Sequence, residues 1–192
     1  MSKYADAVVS FEPFEPVRKK LLQKLIENQV GNVAVFPIGL GARDEDLPFC
    51  APVGANLGSG TFRGLADGRA RLPVRKGDSF LAKNELPRID IIKVDVEGFE
   101  SEVFEGLGER LRRDRPVILT EISGVDRSGF GTLESFKHAM YSDFELFAIG
   151  CTSISGTYRI MRPSFAVDGE FLIVPRERRR LIERIKGSLA SK

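Results

Sequence analysis

The sequence predicts an α/β domain: a mostly parallel sheet flanked by helices and closed by an antiparallel strand. Three observations carry that expectation. Ile89-Asp90-Ile91-Ile92-Lys93-Val94-Asp95-Val96 is a near-continuous β-branched run, the pattern of strands buried on both faces of a parallel sheet. Asp95, Glu97 and Glu100 gather around Gly98 at its C-terminal end, and open α/β sheets bind their ligands at that end. Elsewhere, short apolar strand-like runs alternate with stretches of helical periodicity.

In chain order, a short polar lead gives way to a strand at residues 8–11, which Glu12 ends and Pro13 stops. Residues 15–29 read as a helix: Pro16 suits the first turn, and Val17, Leu21, Leu22, Leu25 and Ile26 share one face. A strand follows at 33–38. Gly39-Leu40-Gly41 then lets the backbone approach something closely, and a tight turn accounts for these glycines equally well. Residues 42–66, rich in Gly, Pro and polar side chains, read as an insertion over the site, with Asn56 and Ser59 facing an acceptor. A short strand is expected at 70–74.

Residues 100–112 form an amphipathic helix with Val103, Phe104, Leu107 and Leu111 inward, and 117–122 the next central strand. A helix is expected at 132–142 and an antiparallel closing pair at 144–149 and 170–174. The loops 124–131 and 151–167 fall on the site side. Residues 1–175 thus read as one domain. The basic tail, 176–192, reads as a solvated terminal helix.

The 192 residues suffice for one domain with a proper core, and 42% hydrophobic with 29% charged residues is ordinary for a soluble protein. Lys plus Arg is 29 against 27 for Asp plus Glu, a net +2, which excludes a generic polyanion-binding surface. The sharper reading of the basic tail is contact with an anionic membrane surface or nucleic acid. It interleaves no aromatics, so base stacking has no support and nucleic acid is not the expected partner. No apolar run approaches the ~20 residues that span a bilayer. No signal-peptide pattern opens the chain, and Cys50 and Cys151 lack metal-ligand spacing. Reduced thiols in a cytoplasmic protein are the expectation. His138, the single histidine, belongs on a helix surface.

Asp90-Ile-Ile-Lys-Val-Asp-Val-Glu-Gly-Phe-Glu100 resembles the signature of the FkbM-type methyltransferases, which use S-adenosylmethionine (SAM) on a Rossmann-like fold. Val9-Ser-Phe-Glu-Pro13 and Arg115-Pro-Val-Ile-Leu-Thr-Glu121 resemble two more of the family's strands, each ending in a carboxylate. Asp78-Ser-Phe-Leu81 resembles its segment ahead of the main motif. Order and spacing agree as far as Pro175. The resemblance implies a Rossmann-like methyltransferase sandwich that methylates a hydroxyl of a small molecule or carbohydrate.

It further implies that Glu12 accepts hydrogen bonds from the ribose hydroxyls of SAM and that the loop at Gly39 lies near the adenine. Asp95, nearest the methyl donor, is the first choice for contacting the cofactor and for taking the acceptor's proton or holding its hydroxyl; Glu97 and Glu121 come next. The plainer readings are a solvated turn for Glu12, a first-turn helix charge for Glu97 and a solvated strand end for Glu121. Asp95 and Glu121 are too few to argue for a metal. Two rivals stand beside the enzyme: a non-catalytic pseudo-methyltransferase, and a nucleotide- or sugar-binding module that uses the strand-end carboxylates.

The family's first strand and glycine-rich loop find no match before Glu12, and Val53-Gly-Ala-Asn-Leu-Gly58 reads as part of the insertion instead. The chain therefore reads as truncated at its front, with the true start upstream or the gene decayed. The missing strand belongs between those ending at Glu12 and Asp95. Its loss leaves two edges without partners, at ~1–3 kcal/mol for each buried unsatisfied group, and favours self-association. The alternative is that the two edges close up and pair directly.

Overall fold

The computed structural model describes residues 2–52, 60–63, 70–122, 129–152, 157–161 and 169–183. β1 (Val8–Phe11) and β2 (Val33–Phe36) pair in parallel, Val8 with Val33 through Phe11 with Phe36, and α1 (Glu15–Glu27) crosses between them. Pro16 occupies the first turn of α1, and Asn28 closes the helix, its backbone and side-chain N–H groups both donating to the Lys24 carbonyl. No residue of β1, α1 or β2 is buried, and Leu22 and Ile26 of the expected apolar stripe are exposed.

A three-stranded sheet follows, with β5 (Arg71–Lys76) between β3 (Gly39–Gly41), parallel to it, and β4 (Glu45–Pro48), antiparallel. The segment 42–66, read as insertion throughout, therefore contains a strand. Glu45-Asp46-Leu47-Pro48 carries little strand propensity of its own and is ordered by pairing along β5. The expected contacts of Asn56 and Ser59 fall outside the described residues.

After α2 (Gly77–Lys83) comes β6 (Ile91–Val94), then α3 (Glu100–Gly106) and α4 (Gly108–Asp114). The single helix expected over 100–112 is two, broken at Leu107 between two glycines, where helix propensity is lowest. Its inward residues Val103, Phe104, Leu107 and Leu111 are all buried. Asp78 of α2 fastens the start of α4 by accepting the N–H groups of Glu109 (2.8 Å) and Arg110 (2.9 Å).

β7 (Val117–Ile122), α5 (Leu133–Ala139), β8 (Phe144–Thr152), β9 (Thr157–Met161) and β10 (Gly169–Pro175) complete the described chain, apart from the start of the tail. Thr132 caps α5 by accepting the Ser135 N–H at 3.0 Å, and His138 is exposed, as expected. The five-stranded sheet has the order β6-β7-β10-β8-β9, with β6 and β7 parallel and the rest antiparallel. β8 and β10 are the expected closing pair. β9 lies in a segment read as loop and takes its register from the long β8.

One face of this sheet packs under the helices, with Val94, Ile118, Phe171 and Ile173 meeting Phe104, Leu111, Phe136 and Tyr141 in the core. The opposite face is covered only in part. Ile182 of the tail is buried against Val117 and Val174, Arg178 bonds to Asp90 at 3.1 Å, and Glu177 pairs with Arg115. The described start of the tail is thus docked rather than solvated. Beside it Ile91, the β6 partner of Val117, is 55% exposed, so β6 is not buried on both faces as its composition predicted.

The cause is the edge position of β6. It pairs with β7 alone, β1 pairs with β2 alone, and among the described residues the two edges do not join. No helix among these residues is long and apolar enough to cross a membrane.

Candidate functional site

The ends of β1 and β6 open into one cleft of about 130 Å³, lined by Glu12 and Phe14 on one side and by Asp95, Val96 and Glu97 on the other. Phe49, Gly60 and Phe62 form its third wall. The rings stand in sequence: Phe14 to Phe49 at 5.1 Å, Phe49 to Phe62 at 5.3 Å, Phe62 to Phe99 at 5.1 Å. Gly60 lies flat on Phe49, where a Cβ would come within 2.4 Å of the ring.

Glu12 sits where β1 ends and α1 has not begun. Its Oε1 accepts the Phe14 N–H at 2.8 Å, and Arg18 donates to the carbonyls of Glu12 and Pro13 at 3.0 Å each. Burial pushes the Glu12 carboxyl above its ordinary range, against the pull of the Phe14 amide and Arg18. Asp95 follows β6 directly, and its Oδ2 accepts from Lys93 Nζ at 2.8 Å. That bond holds the Lys93 ammonium above the usual lysine range, with Glu170 and Glu121 adding to it.

Glu97 has φ +51° and Gly98 φ +97°. The left-handed region costs a residue with a Cβ about 1–2 kcal/mol, so external contacts must hold Glu97 there. One is visible from outside: Thr61 Oγ1 donates to the Glu97 carbonyl at 2.8 Å. Beside Thr61, Arg63 reaches Glu102 and, at 3.3 Å, Ser101 at the start of α3. The segment 60–63 is therefore anchored to the far side of the cleft.

Glu121 lies beside the cleft rather than in its lining. It is the last residue but one of β7, directly across from Glu170 of β10. Burial raises its carboxyl first, then the charges of Asp95, Glu97 and Glu170, with Lys93 opposing. Gly39 stands apart, paired with Val74 in β3 and facing Val74 and Phe62. Of the residues singled out in the sequence, the fold thus brings Glu12, Asp95 and Glu97 together, couples Glu121 to them through its field, and leaves Gly39 outside the lining.

Sequence reasoning missed Phe49, Thr61 and Phe62, which come from a stretch without readable periodicity, and Glu170, whose role depends on strand register. Glu100 was visible in the motif, but its burial was not. Chemically, the cleft offers carboxylate acceptors for hydroxyl groups and aromatic walls for a ring or aliphatic face. Ligand pockets commonly measure about 300–1,000 Å³, so the described cleft accommodates part of such a ligand. Among the described residues no group of three or more His, Cys, Asp or Glu is placed to hold a metal ion.

Comparison with known proteins gives this geometry a family. The Methyltransferase FkbM domain matches residues 2–146. The hexuronic acid methyltransferase AglP of Haloferax volcanii is 31% identical over 120 residues, which are 62% of this chain and 48% of that protein. The crystal structure of methyltransferase FkbM from Methylobacillus flagellatus superposes with a TM-score of 0.54 at 16% identity, covering 88% of this chain and 36% of the other. That likeness shows a shared α/β fold. The chain spans about half the length of its curated relative. Because the domain match takes in both strands that build the cleft, this chain belongs to the FkbM methyltransferase family.

Proposed function

We propose that this chain is the core of an enzyme that transfers a methyl group from SAM to a hydroxyl oxygen of a carbohydrate. The observation that carries the reading is the meeting of Glu12 and Asp95 across one cleft, within a chain of this family. Glu12 fits a donor with a ribose: it is a half-buried carboxylate fixed by the Phe14 amide, able to accept from a pair of hydroxyls as strand-end acids do in nucleotide folds. Phe14, Phe49 and Phe62 supply the apolar wall that such a ligand needs. Bound SAM would supply a methyl group already activated by its sulfonium.

The protein's share is orientation and proton management. Asp95 holds the acceptor hydroxyl or takes its proton, with Lys93 fixing the carboxylate from below. Glu97, on the same turn, and Glu121, whose proton is held more tightly through burial and its acidic neighbours, are the next candidates for that role. A carbohydrate acceptor is favoured because the matched relative is a hexuronic acid methyltransferase and because acceptor carboxylates beside aromatic walls suit a sugar ring.

Calorimetry with SAM, joined to transfer of a labelled methyl to hexuronic-acid and neutral-sugar acceptors, tests the reading. Asp95→Asn, which keeps the side chain's shape against the donor, is expected to lower turnover by about 10²–10⁴-fold, the usual worth of a general base, with a smaller loss of donor affinity. Glu12→Gln should do the reverse and weaken donor binding about tenfold, the loss expected for charge-assisted bonds. A chain that binds no SAM, or an Asp95→Asn variant with full turnover, would refute the proposal.

A further inference from the structure

We propose that Glu100 is a positioning residue of the cleft, holding the Glu97–Gly98 turn from within so that Asp95 and Glu97 are presented to the ligand. Glu100 opens α3 and is only 2% exposed. An acid in the first turn of a helix gains from the free amides and the dipole while remaining in water, so burial is unnecessary for that purpose. Burial here is costly instead: Oε2 is enclosed and has no hydrogen-bond partner among the described residues, the kind of orphan that native folds avoid without a reason.

The other oxygen indicates the reason. Oε1 accepts the N–H of Gly98 at 3.2 Å, and Gly98 is itself buried. The carboxyl also lies against the amides of Val96 and of Glu100 itself. It therefore sits beneath the short segment that joins Asp95 to α3. Above that segment, Thr61 Oγ1 holds the Glu97 carbonyl at 2.8 Å. Glu97 lacks the freedom of glycine and still adopts φ +51°, followed by φ +97° at Gly98. Two left-handed residues in succession are thus held between an inner acceptor and an outer donor, and the segment they end carries Asp95, Val96 and Glu97 of the cleft lining. Burial also raises the Glu100 carboxyl above its ordinary range, against the amides that lower it, so a neutral amide of the same shape should serve in its place.

Two substitutions separate positioning from mere packing. Glu100→Met keeps the volume and removes the acceptor; Glu100→Gln keeps both. Met removes an enclosed carboxylate oxygen that has no partner among the described residues, together with the acceptor of one amide. These are opposing effects on stability, so the Met variant should melt near the temperature of the unchanged chain. Its Gly98 amide should nonetheless exchange hydrogen about tenfold faster or more, with the Ile118 amide unchanged, because only the local opening becomes easier. Binding of S-adenosylhomocysteine, measured by calorimetry, should weaken about tenfold or more, since small misplacements at a site are costly. Gln should restore both exchange and binding.

Equal exchange at Gly98 in the Met variant would overturn the proposal. So would a loss of protection shared by Ile118, a lower melting temperature in proportion to that loss, or failure of Gln to restore the turn. The binding arm rests on the methyltransferase reading. If the unchanged chain binds no S-adenosylhomocysteine, that reading fails, and the exchange arm still decides whether Glu100 holds the turn.

Discussion

Asp114 collects donors from three residues in one buried place: the Ile89 N–H at 2.9 Å, Arg110 Nη1 at 3.2 Å, and Arg113 through Nε at 2.8 Å and Nη2 at 3.4 Å. Asp114 and Arg110 are 3% and 6% exposed, and Arg110 also donates to the carbonyls of Leu86 and Pro87. The pair fixes the chain just before β6, and with it the register that delivers Asp95 to the cleft. Removing one member leaves the other charge buried and unpaired, at about 3–5 kcal/mol. Asp114→Ala is therefore expected to lose a large fraction of the ~5–15 kcal/mol typical of a domain, seen as an earlier midpoint in urea. Among the cleft residues, Glu12, Asp95 and Glu97 were legible because each ends an apolar run with an acid. Phe49, Thr61 and Phe62 were not, because nothing local marks them; segment 60–63 is placed by bonds to residues 97–102.

Between elements, the tightest fit is α3 on β3. A Cβ on Gly106 would stand 1.8 Å from the Gly41 carbonyl oxygen, a backbone atom that cannot step aside. Gly106→Ala should cost at least about 1–3 kcal/mol through overpacking, read as a lower melting temperature. The glycine this approach requires is Gly106; at Gly41 a Cβ would meet Val74 at 2.7 Å instead, and at Gly39 it would meet Val74 only at 3.4 Å.

The docked tail makes a second test. Glu177 forms a two-point bond to Arg115, at 2.6 and 2.9 Å, which with its own backbone amide lowers its carboxyl from 4.5 to about 2. A carboxylate lowered on folding adds stability that is complete above its ordinary value and vanishes as the pH falls to the folded one. The gap in stability between the unchanged chain and Glu177→Gln should therefore be constant from pH 7 to about 5 and close between about 4.5 and 2, measured by denaturation across that range. Strand positions at 8–11, 117–122 and the closing pair were readable from alternation and composition. The open face of β6 was not: Ile91, Ile92 and Val94 look alike in sequence, and only the sheet's order places Ile91 at an uncovered edge.

For the whole molecule, the governing feature is the division of the sheet between β1 and β6. The segment β1-α1-β2 buries none of its own residues. Phe11 and Phe36 rest edge-on against Phe80 at 5.8 and 5.1 Å, and Phe14 meets Phe49. The larger unit keeps the continuous core. A chain so built should melt in two stages rather than one, with residues 8–36 losing their protease resistance at a lower temperature than β7 and β10. Glu12 belongs to the early-melting part and Asp95 to the late one, so any molecule that grips both acts as a rivet. Saturating it should draw the two transitions into one, since a ligand stabilises whatever it needs intact.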